Sequence, residues 1–331
     1  MRSWTGCRAS RRTITEHPIL CTVGSLFFAG GHMAALDDTI RNFPDTAWDA
    51  SPTERAPTAG VEHLLEGGHV LCFPQLHFEL SASERRFLTP SISDGKAKNI
   101  SLRDDGSIRG ASGSAQDQAE LRDMIQRFSH QAQSLVDRLF PHYRGKLRAA
   151  KASYRPIQVE GRETSWRKDD TRLHVDAFPS NPIHGVRLLR VFTNLNPEGR
   201  PRQWRVGEPF PEFLQRFAPR LTPPVPGSAA VLRALKITKS HRTDYDHYML
   251  QLHDKMKADL AYQKDAPQRS VDFAPGTTWV VFSDQVLHAV MGGQYMMEQT
   301  FYLEPRHQLY PHTAPLKVLE DLMGKALLPA A

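Results

Sequence analysis

The chain has 331 residues, with 42 lysines and arginines against 36 acids and a net charge of +6. Such a length buries a large core, and ordinary apolar and charged fractions exclude global disorder. The basic excess is concentrated at the start, where Arg2, Arg8, Arg11 and Arg12 face only Glu16, so it does not argue for nucleic acid. The mildly basic remainder suits a phosphate- or carboxylate-bearing substrate.

Residues 18–30 are apolar and follow arginines, as in a secretory signal, but the run is too short to span a bilayer. MAALDDTIRNFPDTAWD reads as a natural protein start, so the leader over residues 1–32 is expected to be a mis-called start with Met33 the true beginning, a weak signal or interfacial anchor being the alternative. No other segment is a transmembrane candidate. Cys7, Cys21 and Cys72 have neither zinc-site nor disulfide-framework spacing, which makes a reducing compartment the expectation.

Residues 34–60, rich in Pro, Asp and Thr, predict irregular chain. Short apolar runs such as HVLCF follow, and KAKNISLRDDGSIRG predicts a hairpin or long loop around Asp104-Asp105-Gly106. From Ala115 to Phe140 the period becomes helical, with Leu121, Met124, Ile125, Phe128, Leu135 and Leu139 in one stripe and Pro141 as the stop. We therefore divide the chain into an N-terminal region over 33–114, packed on a core over 115–331. Beyond Ala150, SYRPIQVE, RLHVDAF, VRLLRVFTNLN, TTWVVFSD and QYMMEQTFYLEP read as strands, interrupted by a helical insert over about 210–265. Short strands with one helical layer predict a β-barrel or jelly roll flanked by helices.

His174 and Asp176 are two residues apart, so in extended chain both leave the same face. An imidazole and a carboxylate so placed are two thirds of a 2-His-1-carboxylate site for non-heme Fe(II). His288, after the apolar run WVVFSD and a short turn, is the expected third ligand, with His184, His241, His247 and His253 as rivals. A second H-x-E triplet, His77-Phe78-Glu79, lies in the N-terminal region and is read as structural. Three protein ligands leave room on iron for the carboxylate and keto oxygen of a 2-oxo acid and for dioxygen. The far carboxylate of such an acid needs a buried cation, best an arginine. Arg187 and Arg190 are three apart on one strand, so only one of them faces the interior; Arg155 and Arg202, the latter beside Trp204, are further candidates. The position ten or so residues after the last histidine holds Glu298 and Gln299, so the cation is expected from another strand.

RLHVDAFPSNPIHGVRLLRVFTNLNP, RQWRVGEPF and WVVFSDQVLHAVMGGQYMMEQTFYL together resemble the Kdo hydroxylase family, from about Val61 onward. The resemblance implies an α+β fold with a double-stranded β-helix (jelly-roll, cupin-like) core. It implies an Fe(II)/2-oxoglutarate-dependent dioxygenase, aided by ascorbate, that hydroxylates carbon 3 of 3-deoxy-D-manno-oct-2-ulosonic acid (Kdo) on Kdo-lipid A precursors to give the Ko sugar. It assigns His174, Asp176 and His288 to the metal and Arg190 to 2-oxoglutarate, with Arg155, Arg202 and Trp204 matching less firmly. Arg200, Arg205 and Asn194 are then candidates for the anionic substrate, and a peripheral enzyme at the cytoplasmic face of the inner membrane is expected. A hydroxylase of a protein or small molecule, and a non-enzymatic cupin-like binding module, remain the alternative readings.

Overall fold

The computed structural model describes residues 36, 38–49, 60–103, 105–161 and 164–329. The leader, the Met33 start and Asp104 lie outside the described residues. Eleven named strands form two sheets: β1 (Ile40–Asn42), β2 (Val70–Phe73), β3 (Ile100–Leu102), β4 (Ile108–Arg109), β5 (Arg148–Arg155), β6 (Arg187–Asn194), β7 (Arg202–Gly207), β8 (Gln268–Phe273), β9 (Thr278–Phe282), β10 (His288–Gly292) and β11 (Met296–Leu303). The large sheet runs β1-β2-β9-β6-β11-β5-β3-β4, and the small one β10-β7-β8. The content is mixed helix and sheet, and the two sheets face each other without closing into a barrel. The N-terminal region joins the large sheet itself, through β1–β2 at one edge and the β3–β4 hairpin at the other. A short strand, β1, replaces part of the irregular chain expected over 34–60, because its backbone pairs in parallel with β2.

Helix α1 (Val61–Glu66) precedes β2, and α2 (Ala115–Leu139) is the long helix that the periodicity predicts. Ser114 and Asp117 form a capping box at its start, satisfying backbone donors that the first turn leaves free. Its stripe of Leu121, Met124, Ile125, Phe128 and Leu135 is buried in one core with Leu189, Val191, Val280 and Phe282 from β6 and β9. The alternate residues of the same strands, Phe192, Trp279 and Val281, enter a second core with Trp204, Val206 and Phe273 of the small sheet. The insert forms α3 (Phe210–Phe217), α4 (Ser228–Ala234), α5 (Asp244–Ala258) and α6 (Leu260–Asp265), and α7 (Pro315–Met323) follows the last strand. Tyr245, Met249 and Leu252 of α5 pack with Phe213 of α3, Leu319 of α7 and Leu173 in a third core.

Strand parity separates the two arginines of β6. Arg187 lies on the α2 face and is fully buried, its guanidinium 3.9 Å from the Phe282 ring centroid. It donates to Asp284 Oδ2 (2.7 Å), Gln285 Oε1 (2.6 Å) and Gln308 Oε1 (2.8 Å). Asp284 Oδ1 in turn accepts the Leu188 backbone N–H. Removing one member of such a pair strands the other charge in the core, so Arg187→Met is expected to cost about 3–5 kcal/mol. Arg190→Met is expected to cost less, because Arg190 is partly open to a cavity. Denaturant titration of both variants checks this, and equal losses would contradict it.

Candidate metal centre

The segment 172–178, read from sequence as a strand, forms only a one-residue bridge. His174 N–H donates to the His288 carbonyl and His288 N–H to the His174 carbonyl, each at 2.9 Å. Paired residues of an antiparallel bridge project to the same side. Asp176, two residues on, points the same way, its N–H held by the Ser283 carbonyl at 2.9 Å. One potential ligand atom from each of His174, Asp176 and His288 lies within 4.8 Å of the other two, and this is the one such cluster among the described residues. His77 and Glu79 lie outside it, and Phe78 packs in the α2 core.

Both imidazoles are held in one tautomer. His174 Nδ1–H donates to the Arg172 carbonyl (2.8 Å) and His288 Nδ1–H to the Val286 carbonyl (2.9 Å), leaving each Nε2 with its lone pair for a metal. Burial is the main cause holding both rings below the usual histidine range, so they are neutral. Burial alone would raise the Asp176 carboxyl; Arg190, followed by His288 and His174, outweighs it and keeps the group ionised. Asp176 Oδ2 is buried and lacks an aligned hydrogen bond, although Arg190 Nη2 stands 3.1 Å away. Two neutral imidazoles and one carboxylate with an unsatisfied oxygen fit a divalent transition metal in facial coordination.

These groups line a cavity of about 560 Å³, together with Arg155, Arg190, Phe192 and Trp204. Trp204 lies nearly parallel to the His288 ring, centroids 5.1 Å apart, and so fixes its plane. Arg190 also reaches Glu298 Oε1 at 3.3 Å, and Arg155 pairs with Glu298 Oε2. Glu298 thus gathers two arginines beside the triad. The other candidates lie elsewhere. Arg202 is buried with its guanidinium on the Gly293 carbonyl, and Asn194 ties the Arg200 and Phe273 carbonyls. Arg200 pairs with Glu198 on the surface, and Arg205 stitches Thr171, Gln263 and Gln268 together. None of these four lines the cavity.

Sequence reasoning missed Lys98, Arg167, Lys168 and Lys257, which do line it. Lys257 is buried on α5, its ammonium on the Arg167 carbonyl at 2.9 Å, and burial holds its pKa down. His253, a rival for third ligand, also lines the cavity from α5, with its ring centroid 5.7 Å from that of His174, but stands outside the triad. Asp170 is raised by burial, yet Lys98 overrides this and brings it to about 2. Only helical periodicity carried a signal here: His253 and Lys257 are four apart and share a face of α5.

The fold and the triad define a candidate metal site in a cation-lined cavity between two sheets. The chain matches the family described as 3-deoxy-D-manno-oct-2-ulosonic acid (Kdo) hydroxylase over residues 47–326. It belongs to that family. The Kdo hydroxylase KdoO, a non-heme Fe(II) alphaketoglutarate-dependent dioxygenase solved with alphaketoglutarate and Fe(III), is 45% identical. That alignment covers 87% of this chain and 97% of KdoO, with a TM-score of 0.82. The cobalt(II) complex of KdoO gives 45% identity, 88% and 98% coverage and a TM-score of 0.84. No curated protein matches the chain.

If the triad holds the metal, His174→Ala and Asp176→Ala should each lower Co(II) affinity by tenfold or more while leaving the far-ultraviolet circular dichroism intact. Calorimetric titration with Co(II) measures this, and wild-type affinity in either variant would remove the assignment.

Proposed function

We propose that this chain is an Fe(II)/2-oxoglutarate-dependent dioxygenase that hydroxylates carbon 3 of Kdo on a Kdo-lipid A precursor to give Ko, on a double-stranded β-helix core. The observation that carries this is the buried His174, Asp176 and His288 cluster facing a cavity lined by cations, in a chain of the Kdo hydroxylase family. Fe(II), when bound, supplies the oxidation by splitting dioxygen between 2-oxoglutarate, which leaves as succinate and carbon dioxide, and the substrate C–H.

The chain's own part is to bind, orient and exclude water. His174, Asp176 and His288 would hold the metal, with the Arg172 and Val286 carbonyls fixing the two rings and Arg190 orienting the carboxylate. We assign the distal carboxylate of 2-oxoglutarate to Arg190, with Arg155 beside it. Both line the cavity, and their shared partner Glu298 keeps them together. The sugar carboxylate then falls to Lys257, Arg167 and Lys168. Phe192, Trp204, Val290 and Met296 form the apolar wall that keeps bulk water from the reacting carbon.

Purified protein supplied with Fe(II), ascorbate, 2-oxoglutarate and oxygen should convert Kdo2-lipid A precursor to a product heavier by one oxygen. The gain should require 2-oxoglutarate and be absent in His174→Ala, and Arg190→Met should raise the KM for 2-oxoglutarate at least tenfold. Mass spectrometry and succinate release read both. Succinate without a mass gain would keep the oxygenase and discard the sugar.

We further place the enzyme on the cytoplasmic face of the inner membrane. Among the described residues no helix is long and apolar enough to cross a membrane. Support comes from the insert, where Val225 (72% exposed), Val231 (56%), Leu235 (65%) and Ile237 (51%) stand out in solvent. From Leu221 to Thr243 the sequence has Arg233, Lys236, Lys239 and Arg242 and no acid. Apolar side chains among cations without acids suit an anionic lipid interface. The segment is tied to the cavity rim, since Arg242 donates to the carbonyl of Pro179, a lining residue. Replacing Val231, Leu235 and Ile237 by serine should weaken co-sedimentation with phosphatidylglycerol vesicles about tenfold without lowering the melting temperature. Unchanged co-sedimentation would contradict the placement.

A further inference from the structure

Beside the metal cavity lies an open cleft of about 660 Å³ whose wall carries Lys96, Lys98, Arg103, Arg109 and Lys151. The β-ladder puts these charges together. Ser101 of β3 sits opposite Arg109 of β4 on one side and Ser153 of β5 on the other. Arg103 follows β3 directly, and Lys151 stands on β5 where the ladder with β11 shifts register between Ala149 and Ala152. Cations gathered on one cleft wall repel one another unless an anion neutralises them. Among the described residues no carboxylate lies within ion-pair distance of Lys96, Arg103, Arg109 or Lys151. Two acids stand among them without forming an ion pair: Asp105, itself on the cleft wall, accepts from Ser107, and Asp94 accepts from the backbone N–H groups of Lys96 and Ala97. Both carboxyls are held down by these hydrogen bonds and in part by the cleft cations.

The cleft adjoins the metal cavity across one shared side chain. Lys98 lines both and pairs with Asp170 on the cavity side. β5 carries Lys151 in the cleft and Arg155 in the cavity, four residues apart and so about 13 Å along the strand. That is the scale of a disaccharide, so a substrate with its reacting sugar at the triad would bring an anionic group some two sugars away into the cleft. We infer that this cleft binds a phosphate group borne by the glycolipid whose sugar enters the metal cavity. The inference rests on the Kdo-lipid reading above and deepens it. Several cations around one doubly charged phosphate, on an open face, recognise charge and spacing more than acyl composition.

The test compares the wild type with the triple variant Arg103→Ser, Arg109→Ser, Lys151→Ser, all three exposed positions. Co-sedimentation is measured with phosphatidylcholine vesicles containing lipid A bearing both phosphates, lipid A stripped of phosphate, or phosphatidylglycerol. The expected result is at least a tenfold loss of affinity for the phosphorylated lipid A vesicles alone, with Co(II) binding and melting temperature kept. The KM for Kdo2-lipid A precursor should rise by a similar factor with little change in kcat. Equal losses on phosphatidylglycerol would reduce the cleft to a generally charged face and overturn the inference, as would no loss at all. Inorganic phosphate binding lost in the variant, with no difference between vesicles, would assign the cleft to a soluble anion and also overturn it. A wild type that binds phosphorylated lipid A through the cleft but adds no oxygen to the Kdo lipid would instead remove the proposed activity and leave the cleft assignment standing.

Discussion

The site depends on one reciprocal pair of backbone hydrogen bonds, between His174 and His288. Each residue donates to and accepts from the other, so the two side chains must leave the bridge on the same side, and their ring centroids come to 4.5 Å. Asp176 then needs only the two-residue repeat of extended chain to join them. A three-ligand constellation thus arises from one cross-strand pair and its neighbour, with no element moved into place by long side chains. Because the pairing is made by backbone, it survives substitution of the ligands themselves.

That bridge would be loose if the loop before His288 were free to move. Arg187 prevents this from the opposite face of the large sheet, binding Asp284 and Gln285 of the loop and Gln308 beyond the last strand. A fully buried guanidinium is costly to desolvate, and it is tolerated here because its partners surround it. On the other face, Phe192, Trp204, Phe273 and Trp279 stack and abut around the same sheet interior, closing the space behind His288 with rigid rings. The two faces of β6 therefore divide the labour: Arg187 supports the loop, and Arg190 addresses the cavity. The same burial that makes the wall dry keeps both imidazoles neutral, which is the protonation state a metal requires.

The parts of this arrangement governed by short periods were legible in the chain. A two-residue spacing put His174 and Asp176 on one face, a three-residue spacing separated Arg187 from Arg190, and a helical stripe marked α2. Parity alone did not say which arginine faced the cavity; that needed Leu189 and Val191 to be seen packing under α2. Arg200, Arg205 and Asn194, candidates from the sequence around Trp204, lie outside the cavity lining, each engaged by backbone carbonyls, amide oxygens or a local ion pair. Lys98 and Lys257 were invisible for the opposite reason. They come from a loop before the large sheet's edge and from the insert helix, and only tertiary packing brings them to the triad.

Glu298 shows how position and chemistry part company in such a fold. It stands ten residues after the last histidine of the triad, and as an acid it cannot itself hold a carboxylate. Placed on β11 between β5 and β6, it instead draws Arg155 from one neighbour and Arg190 from the other. The cation is thereby supplied by adjacent strands, and the acid sets where they stand. A carboxylate entering beside them meets two guanidiniums already ordered by Glu298 and Asp176. It gains charge-assisted hydrogen bonds without having to order long side chains from solvent. Under the proposed assignment of the 2-oxoglutarate carboxylate to Arg190, the acid at this position serves anion binding by preorganising its neighbours.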